Sequence, residues 1–61
     1  MTILLKSIKS GKSAKMNLEK IRRVPKLGEC VIHPELGEVR VVNIITIAEP
    51  VDEVYMVLLV E

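Results

Sequence analysis

From Glu38 the chain runs Glu-Val-Arg-Val-Val-Asn-Ile-Ile-Thr-Ile-Ala, close to the period of two that side chains follow along a β-strand. The pattern predicts a long strand over 38–48. Val39, Val41, Ile45 and Ile47 point one way, and Arg40, Val42, Ile44 and Thr46 the other. Asn43 breaks the apolar face and predicts a bulge or bend. Upstream, Glu29-Cys30-Val31-Ile32-His33 reads as a second strand, with Cys30 and Ile32 on one side and Val31 on the other. Pro34-Glu35-Leu36-Gly37 joins the two as a tight turn, proline preset at an early position and glycine free to take positive φ. The stretch from Lys26 to Ile47 is thus a hairpin, and the remaining segments must pack around it.

Ala48-Glu49-Pro50-Val51-Asp52 predicts the next turn, and Glu53 to Val60 the last strand. Val54-Tyr55-Met56-Val57-Leu58-Leu59-Val60 shows no alternation, so both of its faces should be covered. The N-terminal segment or another copy of the chain would have to cover the second face. Left bare, such a strand is prone to β-aggregation.

The N-terminal part is less regular. Ile3, Leu4, Leu5 and Ile8 predict a strand, β-branched residues without a preceding cap weighing against a helix. Ser10-Gly11-Lys12-Ser13 has loop composition. Asn17 stands where a helix N-cap would, ahead of Leu18-Glu19-Lys20-Ile21-Arg22-Arg23, with Leu18 and Ile21 on one face. Pro25 restricts any such helix to two turns, and an extended connection is the rival reading.

Sixty-one residues make one domain near the lower size for unaided folding. Cys30 is the only cysteine and His33 the only histidine, so neither an internal disulfide nor a four-ligand zinc site is expected. The chain is 49% hydrophobic with Tyr55 its sole aromatic, which predicts an aliphatic core. A free cysteine, no signal peptide and no apolar run of about 18 residues lead to the expectation of a soluble cytoplasmic protein with no membrane contact. Net charge is +1 but unevenly placed. Residues 1–26 hold eight bases and one acid, and residues 27–61 seven acids and one base. A basic segment, 1–25, therefore precedes a β-meander, 26–61, that forms the core. The base-rich segment either contacts nucleic acid or an acidic protein, or docks on its own acidic body.

Little points to chemistry. Gly11-Lys12-Ser13 lacks the phosphate-loop spacing, because Lys6 occupies the position of the required glycine. Cys30 and His33, three apart on a strand, fall on opposite faces and about 10 Å apart, against the roughly 3 Å that nucleophile–base catalysis needs. A buried structural cysteine and a histidine at the edge of the turn are expected instead. The carboxylates are scattered over turns. Neither an enzyme nor a cofactor is expected. Lys6, Lys9, Lys12 and Lys15 recur every three residues and, with Arg22 and Arg23, form a candidate phosphate-binding set. No aromatic residues interleave with them to stack bases.

Three strands in a meander with an N-terminal fourth or fifth fit a mainly β chain. It would be a small SH3-like barrel or a strongly bent antiparallel meander with a basic N-terminal segment. The stretch from Leu27 to Val42 resembles the opening of CarD-type RNA-polymerase-interacting domains and of the Tudor-like C-terminal domains of UvrD-type helicases. Gly28-Glu29, Val31, His33-Pro34, Gly37 and Val41 carry the resemblance, while Val39 stands where the pattern has a second glycine. The resemblance implies a barrel that docks on another protein, RNA polymerase among the candidates. The expected function is thus a non-enzymatic module binding a protein through His33, Glu35, Glu38 and Arg40. The alternatives are a nucleic-acid-binding protein using the basic segment, or a homo-oligomer built on the apolar C-terminal strand.

Overall fold

In the computed structural model, which describes residues 2–17 and 23–61, β1 (Thr2–Ser7) and β2 (Ser13–Asn17) form an antiparallel hairpin. β3 (Cys30–His33), β4 (Gly37–Val51) and β5 (Val54–Val60) follow as an antiparallel meander. β1 then joins β5 in parallel, giving one five-stranded sheet in the order β2-β1-β5-β4-β3. The expectation of a mainly β chain holds, and among the described residues there is no helix. None is therefore long and apolar enough to cross a membrane. A purely antiparallel meander describes β3 to β5 but not the β1–β5 pair.

β4 explains the shape. Gly37 to Arg40 pair with His33 to Cys30 of β3, whereas Val41 onward pairs with β5. One strand therefore serves two neighbours and turns between them. Val41 faces Val60 and Asn43 faces Leu59, so Val42 is one extra residue, a bulge at the place where Asn43 interrupts the pattern. The extra residue inverts the parity of everything beyond it. Val39 and Val41 are buried, but after the bulge Ile44 packs on the core and Ile45 is exposed. The sequence pattern, read without the bulge, assigns those two isoleucines to the opposite faces.

The core collects the inner face of every strand. Ile3, Leu5, Met16, Val39, Val41, Leu58 and Val60 are buried together, with Val31 of β3 packed against them. Met16 and Val31 lie on the two edge strands, so the sheet rolls until its edges face each other. Between them lies an open groove of about 410 Å³, lined by Met16 and Asn17 on one side and Val31, Ile32, His33 and Pro34 on the other. β5 is the central strand, paired with β1 on one side and β4 on the other, but within the chain only one of its faces is packed. Val54, Leu58 and Val60 are buried, whereas Tyr55 on the other face is 40% exposed, so the expectation that both faces be covered is not met. The first strand also supplies Ile3 and Leu5, among the most buried residues of the core, so the core draws on both halves of the chain.

Two local expectations change. Ser13–Asn17 is a strand rather than loop and helix cap: Ala14 and Met16 are buried and Lys15 is exposed, an alternation short enough to be masked by its polar neighbours. The rest of the anticipated helix, residues 18–22, lies outside the described residues, and Arg23 sits in a bend. The turn anticipated over 48–52 is displaced to Asp52 and Glu53. β4 continues to Val51, with Ile47 to Pro50 opposite Tyr55 alone. Pro50, which cannot donate to a ladder, lies in this unpaired stretch rather than in a turn.

Asp52 and Glu53 both take positive φ, 51° and 63°, the backbone of a two-residue hairpin turn whose preferred residues are Asn and Gly. Glu53→Gly removes left-handed strain from a side-chain-bearing residue and is expected to stabilise by about 0.5–1 kcal/mol, read as a raised melting temperature. Leu58, wholly buried on the central strand, gives the opposite result: Leu58→Ala should cost about 2–5 kcal/mol in denaturant unfolding.

Candidate functional site

The β3–β4 hairpin carries the protein-binding candidates, and strand register sorts them. Ile32 lies opposite Glu38 and Cys30 opposite Arg40, so these four side chains share the outer face of the hairpin. Ile32 is 81% exposed, on a strand with a neighbour on one side only. Leu27, in the turn that leads into β3, is 65% exposed. The hairpin thus presents an apolar residue beside an unpaired strand edge, flanked by one acid and one base.

His33 and Glu35 are placed differently. His33 has the parity of Val31, is half-buried and lines the groove between the sheet edges. Its Nδ1 accepts a hydrogen bond from the Glu35 backbone N–H at 3.0 Å, so the imidazole holds the turn it precedes. Glu35 is exposed at the tip, and Gly37 closes the turn at φ 76°. Of the four residues selected from the sequence, Glu38 and Arg40 come together, Glu35 stands at the tip and His33 faces inward. Ile32 is not among the residues selected from the sequence, which groups it with Cys30 on the side expected to be buried; the structure exposes that side. Cys30 is exposed rather than buried. It shares the outward face with Ile32, opposite to the core-facing Val31.

The loop before β3 is fixed by Glu29. Its carboxylate accepts from both guanidinium nitrogens of Arg23, at 2.9 Å from Nη1, and from the Lys26 backbone N–H at 3.0 Å. The Glu29 carbonyl accepts from Val41 N–H, and Gly28 N–H donates to Val41 carbonyl, so the clamp is attached to β4 at the bulge. The Arg23 hydrogen bonds first, and then the Lys26 N–H, hold the Glu29 carboxyl down at about 2. The same pair raises Arg23.

Of the six basic candidates, four are gathered on the β1–β2 hairpin. Lys6, Lys9, Lys12 and Lys15 are exposed along the β1–β2 hairpin and make no ion pair among the described residues. Arg23 is engaged by Glu29, and Arg22 lies outside the described residues. Also among the described residues, no three His, Cys, Asp or Glu side chains are grouped so as to hold a metal ion.

Comparison of the chain with family models, with curated proteins and with solved structures finds no match.

The Arg23–Glu29 clamp has a defined pH window. The folded carboxyl is depressed below its ordinary 4.5, so what the clamp contributes is fully present above that value and is lost as pH falls through about 2. A carboxyl-carbon NMR titration should find Glu29 still ionised at pH 4, and Arg23→Ala should return its midpoint toward the ordinary range.

Proposed function

We propose that the chain is a non-enzymatic interaction module that docks a protein partner on the β3–β4 hairpin. The observation that carries this reading is Ile32, 81% exposed on an edge strand with unpaired backbone on its outer side. Proteins usually protect such edges, and one left with a large β-branched side chain suits partner binding by strand addition. Main-chain hydrogen bonds would supply affinity, and Ile32 and Leu27 the apolar anchors. Glu35, Glu38 and Arg40 would act as rim charges that set orientation and association rate. The resemblance of residues 27–42 to polymerase-docking and helicase C-terminal domains supports an SH3-like reading and a partner from the transcription or DNA-repair machinery. The exposed thiol of Cys30 suits a reducing compartment, and the proposed setting is the cytoplasm.

A second reading rests on the β1–β2 hairpin, which gathers four exposed lysines. Such a comb would bind phosphate without reading sequence. The sole aromatic, Tyr55, is on β5 rather than among the lysines, which leaves this reading without a stacking platform.

Capture from cell lysate with the wild type and Ile32→Asp, with and without nuclease, separates the two. A discrete protein band is expected that survives nuclease and is lost with Ile32→Asp, while Lys12→Glu retains it. Recovery of nucleic acid alone, diminishing as salt rises, would transfer the function to the lysine hairpin.

A further inference from the structure

The groove between the two sheet edges is walled by main-chain groups as well as side chains. Arg40 exchanges both of its backbone hydrogen bonds with Glu61, at 3.0 Å each, so its N–H and C=O point away from β3. Arg40 lies opposite Cys30, and in an antiparallel ladder such a pair turns its main-chain groups outward on both strands. Cys30, and Ile32 two residues on, therefore present N–H and C=O at the open edge. The other wall follows from β1. Ser7 N–H donates to the Lys12 carbonyl at 2.8 Å, whereas Ile8 N–H donates to Val60 of β5 at 2.9 Å. Odd-numbered residues of β1 thus face β2, where Ile3 lies opposite Met16 and Leu5 opposite Ala14. Lys15, between those two, turns its N–H and C=O to the other side. Lys15 and Ile32 line the same groove from opposite walls, and neither β2 nor β3 has a second strand beside it.

We infer that the groove takes one extended segment of a protein partner, of alternating aliphatic and acidic residues, inserted between β3 and β2 and bonded to both. This rests on the docking of a protein at the β3 edge proposed above, and it names the segment that docks. Extended backbone alone carries donors and acceptors along both of its sides, whereas a helix spends its main chain on internal bonds. The side chains of an inserted strand alternate between two surroundings. Those turned inward meet the buried Met16 and the core-packed Val31, which suit aliphatic residues. Those turned outward fall in the row between Lys15 and Ile32. Lys15 is exposed and makes no ion pair among the described residues, so an acidic residue beside it is attracted and a basic one repelled. Glu38 stands behind Ile32, one strand farther off and at about twice the distance, so Lys15 dominates the preference.

The probe is an acetylated, amidated peptide of alternating valine and glutamate, titrated to about 1 mM into the isotope-labelled full chain and followed by amide NMR. Saturable shifts are expected at Cys30 and Ile32 on one edge and at Lys15 on the other. In an inserted strand the valine N–H groups serve one edge and the glutamate N–H groups the other. N-methylation of either set should therefore weaken binding at least about fivefold, as the loss of two or more hydrogen bonds does. Lys15→Glu, at an exposed position, should keep the circular dichroism of the wild type and transfer the preference to a peptide of alternating valine and lysine. Shifts confined to Cys30 and Ile32, with one methylated set binding as well as the unmodified peptide, overturn insertion and leave docking at β3 standing. Absence of saturable shifts at both edges also overturns it, and the Ile32→Asp capture then decides separately whether a protein docks. Shifts at both edges that follow protein concentration without peptide assign the groove to a second copy and overturn it equally.

Discussion

Everything in this fold depends on β4 serving two neighbours. Its first residues complete a hairpin with β3, its later ones pair with β5, and the single extra residue at Val42 turns the strand between them. Without that bulge, Val41 and Ile44 could not both face inward, because alternation would send one of them to solvent. With it, the sheet rolls around a core drawn from all five strands, and its two edges come to face each other. The Glu29 clamp strengthens the same corner. It joins the loop before β3 to Val41, next to the bulged residue.

Rolling leaves three surfaces with distinct character. The β3 edge exposes Ile32 and Leu27 beside Glu38 and Arg40. The β1–β2 hairpin carries four lysines, and across the outer sheet face Leu4, Val57 and Ile45 form an apolar row that ends at Lys15. A chain of this size buries only about 60% of its unfolded surface, so apolar residues on the outside are unavoidable. What is informative is their grouping. Ile32 is exposed on an edge strand and Leu27 in the turn leading into it, and Leu4, Val57 and Ile45 align across three strands. The two sets lie on different parts of the sheet.

Much of this was legible in the sequence. The alternation of Val39 and Val41, the Pro34 to Gly37 turn and the interruption at Asn43 are local signals, each set by strand periodicity or by the backbone preference of a single residue. The apolar run of β5 likewise announced a strand, though not that only one of its faces is packed. The charge division between the halves, the sparse aromatic content and the lone cysteine are properties of composition alone. Among the candidate residues, the shared face of Glu38 and Arg40 followed from their spacing of two.

Tertiary structure decided what pairing decides. That β1 lies parallel beside β5 follows from contacts between the two ends of the chain, and that Ser13–Asn17 is a strand follows from its pairing with β1, neither of which local preference encodes. The inversion at Ile44 and Ile45 depended on the size of the bulge rather than on its presence. One extra residue exchanges the faces and two would have restored them. His33 turned inward and Cys30 outward for the same reason, because β3 took its orientation from the register with β4. Sequence determined which residues favour strands and turns; the face each side chain presents was settled only when those strands paired.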